Sequence, residues 1–244
     1  MAIVFGMIVI LVSGFIQGLT GFGLSILAIP LLVFILPLQE IVPIIVLLAM
    51  LTNIYVLISV RRDIQFKKFT LLVFAAILFL PVGVYSLKYL NVDYLKLIFG
   101  IFITGFSMLL IFKKTFPIKY EKTGYVVTGS LSGFLNGSLS LSGPPVVLFL
   151  SMQGTNKDTF RANIALYFLI LNVITIAVFF ANGLLNKAVF ENTLYFTPAL
   201  LAGVFVGIKV SKRLQEDAFK KFVLILLLAS GIWTSISTFL ELIK

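Results

Sequence analysis

The sequence contains neither cysteine nor histidine, and only 11% of its residues are charged. Without cysteine, disulfides and thiol chemistry are excluded; without either residue, an ordinary zinc site and haem ligation by histidine are excluded as well. A soluble globular domain carries about 25% charged residues. We therefore expect no metal and no other cofactor, and we expect a chain that is not a soluble domain.

Carboxylates are also scarce: the chain has nine, and all of them lie in loops or at the ends of apolar segments. Cation pumps and proton relays usually place a carboxylate near the centre of the membrane. The distribution therefore argues against a cation substrate and against a buried carboxylate that carries protons. A membrane enzyme would need a nucleophile–base pair or a metal cluster, and neither is recognisable, so no catalytic residue is expected. The ATP-binding motif GxxxxGK[ST] is absent too, which argues against direct use of ATP.

What the chain has in abundance is apolar sequence, with 60% hydrophobic residues. Apolar runs of about 20 residues, the length that spans a bilayer, recur throughout. The pattern predicts an all-α polytopic membrane protein that forms a single transmembrane domain over residues 1–244. The ten predicted segments are 2–18, 22–36, 41–60, 69–88, 94–112, 124–139, 144–153, 160–181, 189–209 and 219–240. The first lacks a basic flank and continues into a glycine motif, so we expect it to be a retained membrane segment rather than a cleaved signal peptide.

The basic residues are distributed unevenly between the loops. If the segments alternate in direction, four loops on one side (VRRDIQFKK, KKTFPIKYEK, QGTNKDTFR and KVSKRLQEDAFKK) carry fifteen of the 19 basic residues. The positive-inside rule makes this side cytoplasmic. We therefore expect a protein of the cell membrane (plasma or inner membrane) with both termini on the extracytoplasmic side. The same rule explains the net charge of +10, so nucleic acid is not expected as a partner.

The second half of the chain repeats polar landmarks of the first half. At an offset of 119 residues Gly14, Phe15, Gly18 and Asn53 match identical residues, and Gln17 matches Asn136. After a shift of five residues VGVYSLKYLNVDYLK, from Val82, aligns with VGIKVSKRLQEDAFK, from Val206. Each repeat (1–114 and 120–244) contains five segments, an odd number, so the second is predicted to be inverted. Inverted repeats are typical of secondary transporters, which bind substrate near the membrane midplane.

Each repeat opens with a stretch that breaks its own helix. GFIQGLTGFGLSILAIP and SLSLSGPPVV combine glycine or proline with hydroxyl groups, and the segments that follow them are short. The breaks are compatible with re-entrant hairpins or with fully spanning pairs. Irregular backbone at membrane depth is tolerated only beside protein or a watery cavity, and a helix that starts there favours an anion near its free N–H groups.

These features define the candidate site. For the GxxxG glycines, Gly14, Gly18, Gly133 and Gly137, we favour helix packing. Asn53 and Asn172 either line the path or clamp helices, and Arg161 either attracts an anion at the cytoplasmic mouth or anchors the topology. The candidate substrate-binding residues are Gln17, Thr20, Gly21, Gly23, Ser25, Asn53, Asn136, Ser138, Ser140, Ser142, Gly143, Pro144, Arg161 and Asn172.

The doubled motif, GFIQGLTGFGLSILAIPLL and GFLNGSLSLSGPPVVLFL, resembles that of the sulfite exporter TauE/SafE family of membrane anion permeases. In the second copy Ser140 and Ser142 stand where the first copy has Gly21 and Gly23. The resemblance implies export of sulfite, sulfonates or related small inorganic or organic sulfur anions across the plasma membrane. A homo-oligomer is compatible with the sequence. The alternative is a membrane-embedded scaffold or assembly subunit without transport of its own; in both cases the surrounding partner is the lipid bilayer.

Overall fold

The computed structural model describes residues 2–60, 69–89, 121–152 and 157–242, together with residues 97, 100, 101, 104, 105, 107 and 108. Within these ranges we number nine helices in chain order. They are α1 (Ala2–Thr20), α2 (Leu24–Leu32), α3 (Leu38–Val60), α4 (Thr70–Tyr89), α5 (Glu121–Leu139), α6 (Gly143–Met152), α7 (Lys157–Ala181), α8 (Lys187–Arg213) and α9 (Glu216–Leu242).

The helix boundaries agree with nine of the ten predicted segments to within four residues. Most of the predicted segment 94–112 lies outside the described residues, and the positions described there are helical. Parts of three predicted cytoplasmic loops, residues 61–68, 113–120 and 153–156, also lie outside the described residues. Among the described helices, α1, α3, α4, α7, α8 and α9 are long and apolar enough to cross a membrane. The prediction of an all-α polytopic membrane protein is confirmed.

Helices α2 and α6 are too short to cross a bilayer by themselves. They contain 9 and 10 residues, or about 14 Å of helix at 1.5 Å per residue, against a hydrocarbon core of about 30 Å. Each packs against the helix that precedes it, α1 or α5, and against the helix that follows it, α3 or α7. The two breaks are therefore enclosed by protein, as irregular backbone in a membrane requires.

Helix α1 crosses α8 along a line of glycines. A Cβ added to Gly14 would lie 2.9 Å from the carbonyl oxygen of Leu200, and one added to Gly18 would overlap the carbonyl oxygen of Val204. Only a residue without a side chain allows the two backbones to approach this closely. This contact confirms the expected packing role of the first GxxxG motif.

Helix α5 crosses α4 in the same manner. A Cβ on Gly133 would overlap the carbonyl oxygen of Ala76, and one on Gly137 would overlap that of Leu80. These contacts match those of the first half: Gly133 lies 119 residues after Gly14, and Leu200 lies 124 residues after Ala76. The same two offsets relate the Gly137–Leu80 contact to the Gly18–Val204 contact. The close contacts therefore repeat with the offset and the five-residue shift found in the sequence, which supports the predicted repeat.

Helices α3 and α7 pack together, and each carries an asparagine. Asn53 of α3 and Asn172 of α7 are both buried, and they occupy matching positions at the offset of 119. Each of these helices follows one of the breaks in sequence. The fold therefore brings both breaks and both asparagines to one region inside the protein.

Candidate functional site

A cavity of about 30 Å³ lies where α2 and α6 begin, between the two breaks and the asparagines of α3 and α7. A cavity of this size has room for more than one water-sized group. None of the residues that line it carries a formal charge. Ten of the fourteen candidate residues line it, namely Gln17, Gly23, Ser25, Asn53, Asn136, Ser140, Ser142, Gly143, Pro144 and Asn172, and they are joined by the apolar Phe22, Ile26, Ala49, Leu141 and Phe168.

The first break lies between α1 and α2. Gly21 and Gly23 adopt φ angles of 87° and 106°, in the region that L side chains rarely enter. The hydroxyl of Thr20 lies 2.9 Å from the carbonyl oxygen of Ile16, and it accepts a hydrogen bond from the backbone N–H of Phe22. Thr20 and Gly21 thus shape the turn, and they are not among the residues that line the cavity.

A chain of three amide groups fixes the side chains beneath this break. The backbone N–H of Leu24, the first residue of α2, donates to Gln17 Oε1 at 3.0 Å. Gln17 must therefore turn its Nε2 the other way, and this group donates to Asn53 Oδ1 at 2.9 Å. The amide nitrogen of Asn53 is then left over, and it has no hydrogen-bond partner in the described part of the chain. Asn53 both clamps two helices and presents a donor beside the cavity.

The second break, between α5 and α6, is built from different residues. Ser140 has a φ of 53°, the left-handed region, in the position that corresponds to Gly21. Helix α6 begins at Gly143, so Pro144 and Pro145 occupy its first turn, where a missing N–H costs no hydrogen bond. Ser140 Oγ lies 3.5 Å from Ser25 Oγ, so the two breaks meet at a pair of hydroxyls.

Two residues that sequence reasoning missed support this second break. Ser132 donates its hydroxyl to the carbonyl oxygen of Ser142 at 2.8 Å, and Tyr167 donates to Ser132 Oγ at 2.8 Å. Tyr167 is fully buried and hydrogen-bonded below the break. The available signal was the position of Ser132 one residue before the repeated Gly133, but the partner in α7 could not be inferred.

The asparagines of the second half are arranged differently from those of the first. Asn136 Nδ2 donates to Thr175 Oγ1 at 2.6 Å, and the Thr175 hydroxyl donates to the carbonyl oxygen of Leu171 at 2.7 Å. Asn172 is thereby free of the contact that its counterpart Asn53 makes with Gln17. Its Nδ2 is buried and has no partner among the described residues. The cavity is consequently flanked by two unpaired amide donors, one from each half.

Two further candidates do not line the cavity. Ser138 donates to the carbonyl oxygen of Phe134 within its own helix. Arg161 is 1% exposed, and its guanidinium donates to the carbonyl oxygen of Gly18 at 2.7 Å. Gly18 lies in the last turn of α1, where carbonyl groups lack helical partners and cations are favoured. Arg161 thus binds the end of α1 beside the first break.

Comparisons with known proteins agree with the doubled motif. The family described as "Sulfite exporter TauE/SafE" matches residues 6–234. The "Probable inner membrane transporter protein TsaS" of Comamonas testosteroni is 28% identical over 103 residues, which cover 42% of this chain and 43% of that protein. The chain thus matches less than half the length of that relative. No solved structure gives a significant match.

Proposed function

The chain belongs to the sulfite exporter TauE/SafE family, and from that premise we propose that it is a secondary transporter that exports small sulfur-containing anions such as sulfite or organosulfonates. The anion binds in the cavity between the two breaks, and the two halves act as inverted repeats around it. The polar groups around the cavity are amides and hydroxyls, which suit binding and release rather than catalysis. The similarity to a protein named an inner membrane transporter supports a place in the cell membrane.

The observation that carries the proposal is the pair of unpaired amide groups. Asn53 Nδ2 and Asn172 Nδ2 are both buried and lack partners in the described structure, and both residues line the cavity. A buried donor without an acceptor costs about 1–3 kcal/mol, and two such donors on residues that line one cavity support a ligand there that accepts their hydrogens. An oxyanion offers several acceptor oxygens at once.

The surroundings of these amides favour negative charge. Helices α2 and α6 start at the cavity, and the N-terminus of a helix carries a partial positive charge together with free N–H groups. Ser25, Ser140 and Ser142 add hydroxyl groups to the lining. Since no lining residue is charged, a bound anion is held by dipoles alone, and it is not neutralised by an arginine or lysine in the cavity.

The absence of charged residues from the cavity lining also affects the direction of anion transport. Without a compensating charge in the site, the bound anion carries its own charge across the membrane. An inside-negative potential then drives it outward with about 2.3 kcal/mol per charge per 100 mV. The positive-inside rule supports an orientation in which the basic loops face the cytoplasm and both termini lie outside. Because the chain has no cysteine, single cysteines at Lys122 and Lys187 test this orientation: labelling by an impermeant reagent from the same side would contradict it.

The transport proposal is tested by replacing Asn172. Its side chain makes no hydrogen bond within the described residues, so Asn172→Leu removes a donor without breaking an internal contact. We expect anion flux into proteoliposomes, measured with labelled sulfite, to fall roughly ten- to hundredfold, because a hydrogen bond to a charged group is worth about 1.5–3 kcal/mol. Thermal stability should be kept or raised.

Asn182→Leu provides the matched control, because Asn182 is exposed and lies at the end of the same helix region, away from the cavity. This variant should transport like the wild type. Undiminished flux in Asn172→Leu would remove the amide pair from the site. Flux that does not respond to an imposed potential would instead point to electroneutral exchange.

A further inference from the structure

The amide groups around the cavity do not all present the same atom. Asn53 is oriented by the chain that starts at the backbone N–H of Leu24, which can only donate and therefore fixes Gln17 and then Asn53. The result is that Asn53 offers its NH₂ group. The amide of Asn172 makes no hydrogen bond among the described residues, so it is free to turn its nitrogen toward a bound anion. The third asparagine in the lining, Asn136, is held in the opposite sense.

The orientation of Asn136 follows from Thr175. A hydroxyl has a single hydrogen, and that of Thr175 is donated to the carbonyl oxygen of Leu171 at 2.7 Å. Toward Asn136, Thr175 Oγ1 can then only accept, so Asn136 must present its nitrogen, at 2.6 Å. The polar atom of Asn136 that remains uncommitted is its carbonyl oxygen Oδ1. Because Asn136 lines the cavity and is 1% exposed, the cavity contains a buried acceptor as well as donors.

The first half has no equivalent acceptor. At the offset of 119, Gln17 stands in the position of Asn136 and Val56 stands in the position of Thr175. Both polar atoms of the Gln17 amide are already used, one by Leu24 and the other by Asn53. The two halves therefore contribute one amide donor each, through Asn53 and Asn172, but only the second contributes an amide acceptor.

From this arrangement we propose that the cavity selects a small, singly protonated oxyanion, of which hydrogen sulfite is the type. Its anionic oxygens accept from Asn53 Nδ2 and Asn172 Nδ2, and its O–H donates to Asn136 Oδ1. The inference rests on the proposed function, since it specifies the ligand of the same site. A fully deprotonated dianion turns an oxygen lone pair toward Asn136 Oδ1, and a sulfonate has no O–H to donate, so both leave this acceptor unpaired.

The pH dependence of binding distinguishes these ligands with little interference from the protein. The chain has no histidine or cysteine, and α1, α2 and α6 have no ionisable side chain. The ionisable residues of the neighbouring helices α3, α5 and α7 are Glu40, Tyr55, Glu121, Lys122, Tyr125, Lys157, Asp158, Arg161 and Tyr167. None of these residues lines the cavity.

The experiment is calorimetric titration of the purified full chain with sulfite between about pH 5.5 and 8.5, and with methanesulfonate as a small anion that has no O–H. We expect the apparent sulfite affinity to be constant at low pH and to fall about tenfold per pH unit once sulfite loses its second proton. Methanesulfonate should bind more weakly, and its affinity should not change over this range.

Thr175→Val tests the origin of the selectivity, because it installs the residue that the first half carries at this position. The valine cannot accept from Asn136, so the amide is free to turn its nitrogen into the cavity. We expect a flattened pH profile and about tenfold weaker sulfite binding at low pH. Thr175→Ser keeps the hydroxyl and should keep the wild-type profile.

The outcomes separate this inference from the proposed function. If the wild type binds neither sulfite nor methanesulfonate at any pH, the anion site itself is wrong. If the wild type binds sulfite with an affinity that is unchanged or increases as the pH rises, the anion site stands and the selection of a protonated ligand is overturned. A wild-type profile that Thr175→Val leaves unaltered would likewise remove Asn136 as the acceptor.

Discussion

The two helix breaks have the same place in their halves, but they expose different chemistry. Both follow a helix whose last turn carries a buried amide residue, Gln17 or Asn136. Both also have left-handed backbone at matching positions, Gly21 in one and Ser140 in the other. In the first break the hydroxyl of Thr20 and the amide of Gln17 are used internally. In the second break the hydroxyls of Ser140 and Ser142 line the cavity.

This difference separates structural from ligand-facing polar groups within one repeated design. The first break is stabilised by its own side chains and by Arg161, which binds the end of α1. The second break is stabilised by two residues that are not part of it, Ser132 and Tyr167. The hydroxyl groups of its own serines therefore remain available to a ligand. A repeat can thus keep its backbone path while one copy takes over most of the hydroxyl groups of the site.

The largest expected effect is a loss of stability when the glycines that precede the two breaks are substituted. Gly18 and Gly137 stand three residues before Gly21 and Ser140, and each lies against the backbone of a crossing helix. We expect Gly18→Val and Gly137→Val each to destabilise the protein by about 3 kcal/mol or more, because a Cβ overlaps a backbone carbonyl that cannot move aside. Gly105→Val is the control, since a Cβ there meets nothing within 4 Å.

The measurement is the yield of monodisperse protein and its thermal unfolding in detergent. Equal losses in the two halves would support equivalent crossings, whereas a loss in one half alone would show that the two breaks differ below the turn as well as within it. A normal unfolding temperature in both variants would contradict the packing seen at these glycines.

The crossings and breaks were accessible from sequence because each depends on a local pattern. Apolar runs gave the helices to within four residues, GxxxG spacing gave the crossings, and breakers next to hydroxyl groups gave ten residues of the cavity lining. Thr175, Tyr167 and the contact of Arg161 were not predictable in this way. Each lies on α7 and meets a residue of α1 or α5, so its role depends on how distant helices pack, which no local pattern encodes.

An intermediate effect is expected at Ser142, which replaces Gly23 of the first break. Its carbonyl oxygen accepts from Ser132, and Ser142→Ala keeps that contact, so folding should be unaffected. Loss of the hydroxyl removes one donor from the cavity, and anion binding should weaken roughly ten- to hundredfold. Anion-induced thermal stabilisation measures this, with Ser237→Ala in α9 as the control. Unchanged binding would make the second break as structural as the first.

The smallest effect, and the one that tests the comparison most directly, is expected for Ser140→Gly. Among the described residues Ser140 is the one non-glycine with a positive φ, at 53°. Left-handed backbone costs an L residue about 1–2 kcal/mol. Glycine relieves this cost but loses more chain entropy on folding, about 0.5–1 kcal/mol. The net change in the free energy of unfolding should therefore be a gain of about 0–1.5 kcal/mol.

Anion binding should change in the opposite direction in the same variant, because Ser140→Gly removes a hydroxyl that lines the cavity and lies 3.5 Å from Ser25 Oγ. Backbone strain that persists at a site is a reason to suspect function there. Ser140→Ala completes the comparison, since it keeps the strain and loses the hydroxyl, and so should bind as weakly as Ser140→Gly while unfolding at a lower temperature. If Ser140→Gly is more stable and binds the anion like the wild type, then the serine is only a tolerated substitute for Gly21, and the two breaks are functionally alike at this position.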